Sequence, residues 1–367
     1  MTTSLNVTSG FIDLATYDES EKYLYGGPDS TAYFVRETRK STWFTQVPVS
    51  LSRSNGNPGF DQDFSFAVSR AGDYLLHAWL RLTTPNVSLS TAAIATTTQY
   101  IRWTPNFMHN IIRECTITFN DLTAARFDQY HLDFWAAFTV PASKRNGYDN
   151  MIGNFSDLTS PNRLSTGIPS RVLNLPLPLP FCRDSGVALP TAAIPYNEIR
   201  INFSFRKWDD LLIFSDTNLG AGANPNRVAT LADIGGTAPV LSNNVQLWAN
   251  YALVSNDERK LMGQAPRDIL IEQVQTASKG NFLPNTANYQ VSNDIRFSHA
   301  VKVLFFAIRN RTVASQHSNY TTAGVVPSAV SAPLGPAAAD PLIQTSLIYE
   351  NTNRLTQMGS DYFSLIN

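Results

Sequence analysis

The sequence is short of charge, of cysteine and of long apolar runs, and each shortage excludes something. Asp, Glu, Lys and Arg together make up 16% of its 367 residues, against about 25% in an average soluble domain. The net charge is −1, and no Lys/Arg-rich tail is present to neutralise the phosphates of a nucleic acid. The two tight basic clusters, residues 36–40 (RETRK) and 143–147 (SKRNG), read as solvated turns or strand edges. Two cysteines, Cys115 and Cys182, cannot make a disulfide framework. The longest strongly apolar run, VLFFAI at 303–308, falls far below the ~20 residues a membrane-spanning helix needs. The N-terminal residues 1–19 lack both a positive start and a continuous apolar stretch, so no signal peptide is expected. Low cysteine use and no targeting signal agree on a reducing, cytosolic compartment. Six Asn-x-Ser/Thr sequons, at Asn6, Asn86, Asn154, Asn202, Asn310 and Asn319, are expected to go unread there.

Catalytic patterns are missing too. No dinucleotide or phosphate-binding glycine motif, nucleophile elbow, HExxH or CxxC occurs. The five histidines, His77, His109, His131, His299 and His317, lack the spacing of a zinc pair. They read as packed or exposed residues, His77 as a buried imidazole inside an apolar strand. Asp61/Asp63 and Asp257/Glu258 lie close in sequence; the first suits a turn, the second a charged helical turn. Neither has the apolar setting that makes one member a general acid. The glycine clusters at 26–28 and 54–59 are turn chemistry. The sequence therefore predicts no enzyme, no catalytic residue, no metal and no cofactor.

What is present is strand and turn. Hydrophobic residues make up 43% and aromatics 11%, dressed with Thr, Ser, Asn and Pro. FSFAVS (64–69) leads through a turn at 70–73 into YLLHAWLRL (74–82). INFSFR (201–206) alternates strictly, with Ile201, Phe203 and Phe205 on one face, the mark of a half-buried antiparallel strand. LPLPLP (175–180) suits an edge strand or an extended connector, because proline lacks the ladder donor. One short helix is expected within 123–138, where Phe127, Tyr130 or His131, Phe134 and Phe138 recur near helical spacing.

The chain also repeats. STWFTQVPVS (41–50) resembles DILIEQVQTA (268–277), YLLHAWLRLTT (74–84) resembles KVLFFAIRNRT (302–312), and TITFND (116–121) resembles SLIYEN (346–351). The offsets are 227, 228 and 230 in conserved order, which points to tandem duplication. In this register the second copy stops near the position matching Ala137, so the chain is expected to be a fragment whose second unit lacks its closing strands. Many short strands with long connections in each copy indicate an all-β fold, a tandem double jelly roll of two antiparallel sandwiches, the second incomplete. The expected divisions are an N-terminal arm at 1–28, a first jelly roll at 29–215, a linker at 216–243 and a partial second jelly roll at 244–367. Two long, charge-poor connections, 86–99 and 316–341, follow matched strands and are expected to project as surface loops.

Several long phrases carry a resemblance. VTSGFIDLATYDE (7–19), GDYLLHAWLRL (72–82), MHNIIRECTITFND (108–121), KRNGYDNMIGN (144–154), RDSGVALPTAAIPYNEIRI (183–201) and NDIRFSHAVKVLFFA (293–307) resemble the major capsid proteins of iridoviruses, nearest the invertebrate iridescent type. The likeness covers essentially the whole chain. It departs at LPFCRDSG (179–186), where the family usually has a longer aromatic run. The resemblance implies a double jelly roll that trimerises into pseudo-hexagonal capsomers. These would tile the outer icosahedral shell of a large DNA virus, assembled in the host cytoplasm over an internal lipid membrane. The implied partners are other copies of the chain, neighbouring capsomers and minor capsid proteins, with no direct nucleic acid; the N-terminal arm would lie low, close to the inner membrane. Phe11, Ile12, Tyr17, Tyr23 and Tyr25 are candidate interface anchors of that arm; the same residues also suit a lid on the first sandwich's own core. The alternative reading is a carbohydrate-binding or hydrolytic double β-sandwich.

Overall fold

The computed structural model describes residues 41–163, 166–218, 226–241, 245–264, 266, 268–281, 290–312, 314–322 and 341–363. Met1–Trp43 form one unit, almost all of it outside the described residues, and Phe44–Asn367 form the other. The second unit opens with strands β1 (Phe44–Ser50), β2 (Ser52–Asn55), β3 (Asp63–Ala67) and β4 (Tyr74–Thr83). Helix α1 (Thr91–Ala95), β5 (Gln99–Trp103), α2 (Phe107–Ile111), β6 (Ile112–Phe119) and β7 (Leu122–Phe127) follow. Three helices come next, α3 (Gln129–Thr139), α4 (Ala142–Ile152) and α5 (Ser156–Thr159), before β8 (Val172–Pro176) and β9 (Ile199–Phe205). The chain continues through β10 (Leu212–Asp216), β11 (Asn226–Val228), β12 (Gln246–Val254), α6 (Asn256–Gln264), β13 (Gln344–Tyr349) and β14 (Thr352–Gly359).

Two sheets make the principal sandwich. One has the order β1-β12-β4-β8 and the other β2-β3-β9-β6-β7, with every pairing antiparallel. Along the sequence the chain crosses from sheet to sheet, which winds the strands as a jelly roll. Alternation supplies the core. In β9 Ile199, Ile201, Phe203 and Phe205 are buried while Arg200, Asn202 and Ser204 are less so. Phe64 of β3 stacks on Phe203 at 5.6 Å and meets Phe205 edge-on at 4.7 Å. From the facing sheet, Leu75, Leu80 and Leu82 of β4 and Leu247, Ala249 and Tyr251 of β12 close the interior. β8 is an edge strand, as the proline that ends it, Pro176, allows.

The strand pairing divides the chain differently from the expected boundaries. β12 begins just after residue 244, yet it hydrogen-bonds between β1 and β4 and so is the last strand of the first sandwich. The stretch expected as a linker begins on the last residue of β10 and holds β11, and these two strands join β5 in a third small sheet. That sheet ties together the two long connections β4–β6 and β9–β12. Asp216 accepts from Thr98 Oγ1 at 3.0 Å and from Gln99 Nε2 at 3.1 Å. Little in the sequence warns of this, because the apolar run of β12 looks the same whichever sandwich it closes.

The expected helix within 123–138 is also revised. Residues 122–127 are a strand, and the helix starts one residue after Asp128, whose carboxylate accepts the His131 amide at 3.1 Å as an N-cap. The β6–β7 turn places Asn120 and Asp121 at φ 47° and 67°, the left-handed pair a two-residue hairpin of type I′ needs. In the second copy, Glu350 and Asn351 do the same at φ 48° and 59°. Both hairpins slip register at a matching place, between Ile117 and Thr118 and between Leu347 and Ile348, and β13–β14 slips a second time between Thr345 and Leu347. By contrast, 268–277 and 302–312, the expected counterparts of β1 and β4, carry no strand pairing among the described residues. In the first sandwich β1 is hydrogen-bonded to β12, and β4 to β12 and β8. No such partner lies against the two copies among the described residues.

Candidate functional site: a buried polar joint and an open sheet face

The suspected interface anchors Phe11, Ile12, Tyr17, Tyr23 and Tyr25 lie outside the described residues. Among the described residues no group of three His, Cys, Asp or Glu could hold a metal ion, and no helix is long and apolar enough to cross a membrane. Asp61 pairs with Arg113 at 3.1 Å, and Asp257 and Glu258 sit in the first turn of α6, as a charged helical turn should. His77 is exposed rather than buried: β4 turns Leu75, Ala78 and Leu80 into the core and His77 outward. The sequons divide as well. Asn86 is exposed, whereas Asn154 and Asn319 are buried and engaged in hydrogen bonds.

The densest polar chemistry gathers around Asp133 of α3. Its Oδ1 lies 2.7 Å from His109 Nδ1 and accepts from Asn106 Nδ2 at 3.2 Å. Its Oδ2 accepts from Ser318 Oγ at 2.7 Å and Tyr320 OH at 2.6 Å. His109 Nε2 faces Tyr148 OH at 2.8 Å. Burial alone would raise the Asp133 pKa, but the donors from His109, Tyr320 and Ser318 hold it below the ordinary carboxylate value. Tyr320 and Tyr148 are pushed up, first by burial and then by the Asp133 charge.

A serine, a histidine and an aspartate are thus together, but their order is wrong for nucleophilic catalysis. A nucleophile must give its proton to the histidine, with the aspartate behind that ring. Here Ser318 donates to the aspartate, and the far nitrogen of His109 faces a tyrosine. Asp133 and His109 are 8% and 0% exposed, so no substrate reaches them. The arrangement is a joint. Residues 314–322 supply Ser318 and Tyr320, the His317 amide donates to Thr104 Oγ1 at 3.0 Å, and His317 Nε2 lies 2.9 Å from the Asp210 carbonyl. Ser315, Gln316, His317 and Asn319 are buried, so the start of the connection expected to project from 316 is instead inserted into the first sandwich's helical edge. Burial lowers the His317 pKa to about 3, aided by the Arg309 and Arg206 charges.

Helix α3 carries the rest of the joint. Phe134 stacks on Phe305 at 5.7 Å, and Phe138 meets the same ring tilted at 5.1 Å. Tyr130 accepts from Arg309 at 3.0 Å and lies under Lys279 Nζ, 4.3 Å from the ring centre. Lys279 also pairs with Asp128 at 3.1 Å. The aromatic stripe Tyr130, Phe134, Phe138 was therefore legible as a packing face. Asp133, Ser318 and Tyr320 were not, since nothing in their neighbourhoods signals that residues 185 and more apart will meet.

The outer faces of the two sheets differ. On β2-β3-β9-β6-β7 the outward residues are polar and mutually bonded. Asn202 donates to Thr116 Oγ1 at 3.2 Å, Arg126 pairs with Glu114 at 2.7 Å, and Arg200 with Glu198 at 2.8 Å. On β1-β12-β4-β8 one cross-strand row reads Ser50, Trp248, Trp79, Pro176. The two indoles stack with centroids 6.3 Å apart and planes 13° from parallel. Trp248 Nε1 donates to Gln246 Oε1 at 3.0 Å, and Asn250 Nδ2 to Gln46 Oε1 at 3.0 Å. The alternation of β4 and β12 places both tryptophans outward.

Comparison with known proteins fits this picture of surfaces without a catalytic pocket. The family described as "Major capsid protein N-terminus" matches residues 32–254, and "Large eukaryotic DNA virus major capsid protein" matches 258–367. The major capsid protein of Tipula iridescent virus is 60% identical over 99% of this chain and 78% of its own length. That of invertebrate iridescent virus 6 is 59% identical over 99% and 79%. That of lymphocystis disease virus 1 is 50% identical over 98% and 78%. Among solved structures, a quasi-atomic model of the PBCV-1 virus capsid superposes with a TM-score of 0.63 at 17% identity, over 91% of this chain and 76% of that one. The shared fold is the double jelly roll of viral capsid proteins. These relatives set aside the carbohydrate-binding and hydrolytic alternative. The chain belongs to the major capsid protein family of large eukaryotic DNA viruses, within its iridovirus members, and is a structural, non-enzymatic protein of the virion capsid.

Proposed function

We propose that the chain builds pseudo-hexagonal homotrimeric capsomers that tile the outer icosahedral shell. The observation that carries this is the duplication: a hairpin repeated in its left-handed two-residue turn and in a matching register slip. Three chains with two similar modules present six similar sides, so a threefold particle acquires a nearly hexagonal outline. Contacts around such a ring are heterologous, and closure at three ends its growth. A low charge density permits close packing without strong self-repulsion. The first module runs to Val254, the end of its last strand, and the second begins in α6.

The finer partners follow the same reading. The N-terminal arm, with Phe11, Ile12, Tyr17, Tyr23 and Tyr25, reaches neighbouring capsomers or minor capsid proteins on the side of an inner membrane. Nucleic acid is not held directly, and assembly takes place in the host cytoplasm. Sedimentation equilibrium of capsomers released from virus particles tests the central claim: three chains per particle are expected, and a single chain or a dimer would refute it.

A further inference from the structure

The outward face of the β1-β12-β4-β8 sheet has features that solvation alone does not explain. Trp79 and Trp248 are half-buried and stacked at its centre, with Pro176 beside them and Val172 49% exposed at the next strand's end. No Asp or Glu projects from this face. Its ionisable groups are His77 and Arg81, on the rows either side of Trp79. Gln46, Asn250 and Gln246 form an amide rim already bonded within the sheet. An apolar aromatic centre, depleted of charge and ringed by polar side chains, is the composition of a protein–protein contact core. The opposite sheet, with its outward ion pairs, lacks that composition.

We infer that this tryptophan face is covered in the assembled capsid by a second copy of this chain. The inference rests on the capsomer reading above and names a surface it uses. Size supports it. Seven residues of β4 by four strands give roughly 24 by 19 Å, on the order of 450 Å², which is about half of the ~800 Å² that each partner contributes to a standard interface. The face is thus large enough to be the centre of such a contact and too small to be all of it. A capsid protein also meets its own copies more often than any other protein. Closure of a ring requires that the tryptophan face meet a different surface of the neighbour rather than its own counterpart.

The test compares capsomers released from virus particles with the same chains dissociated by mild denaturant and returned to buffer. Oxidative footprinting at Trp79 and Trp248 is expected to run about tenfold slower in the capsomer, the protection of a buried anchor. In parallel, Trp79→Glu and Trp248→Glu are expected to weaken association at least about tenfold while leaving far-UV dichroism and the denaturation midpoint of the single chain unchanged, since both side chains point away from the core. Equal oxidation rates in the two states overturn the inference, as do variants that assemble like the parent. Released particles that sediment as single chains instead refute the capsomer reading, and this inference with it.

Discussion

The β6–β7 hairpin and its copy β13–β14 form alike, while β1 and β4 have no paired counterparts among the described residues of the second half. The difference lies in where each element finds its hydrogen bonds. A hairpin carries its partner two residues away and needs a turn that tolerates positive φ, which Asn120-Asp121 and Glu350-Asn351 both provide. β1 and β4 bond to β12 and β8, strands far along the chain. Apolar patterning alone does not make such strands: Leu270 and Val303 are 77% and 59% exposed, although their segments read as strands in sequence. Local pairing is legible from a short window, whereas sheet membership is a property of the whole module.

The largest effect that sharpens this contrast is in the first module's core. Phe203 is 2% exposed and packed among Phe64, Phe66 and Phe205, so Phe203→Ala is expected to cost about 3–5 kcal/mol of unfolding free energy. Leu347, 38% exposed in β13, should cost well under about 1.5 kcal/mol when truncated, because little apolar area is lost. Denaturant titration of the two variants decides it; similar losses would mean that the second half has a core equivalent to the first.

The next effect tests the joint. Asp133→Ala leaves His109, Ser318 and Tyr320 without their shared acceptor and is expected to cost about 3 kcal/mol. The pH dependence follows from the same groups. Burial holds His131 and His317 neutral, with pKa values of about 4 and about 3 against 6.5. As pH falls below 6.5 the unfolded chain takes up protons first, so stability drops between about pH 6.5 and 4. Asp133, whose folded pKa is depressed, contributes fully above about pH 4 and loses its contribution as pH falls through its folded value. His317→Gln, which keeps a donor for the Asp210 carbonyl, should flatten the slope between pH 6.5 and 4. An unchanged slope would mean that His317 is not held neutral.

How much of this was readable follows from the range of each interaction. The alternation of Ile201, Phe203 and Phe205 announced β9, and the prolines of 175–180 announced an edge strand, because both signals sit within one strand. The repeat and the capsid resemblance gave the double jelly roll. Nothing within β12 itself says which module it closes, since only hydrogen bonding to β1 and β4 places it in the first. The joint was invisible for the same reason: Asp133 lies inside a helix whose aromatic stripe was evident, but its partners Ser318 and Tyr320 belong to a segment that looked like a projecting loop.

The smallest effect returns to the two hairpins. Asn120 and Glu350 occupy the same turn position at φ 47° and 48°. Asparagine tolerates the left-handed region through its short polar side chain, whereas glutamate meets the full Cβ repulsion of about 1 kcal/mol. Glu350→Asn should therefore stabilise β13–β14 by a few tenths to about 1 kcal/mol, and Asn120→Glu should weaken β6–β7 by more than that. Amide hydrogen exchange along each hairpin reads both changes. Because Asn120 also accepts the Glu198 amide at 2.8 Å and donates to Asn197 at 2.7 Å, its loss should exceed the gain at Glu350. Equal and opposite changes would mean that those two hydrogen bonds contribute nothing to the first turn, and that the hairpins differ only in their own residues.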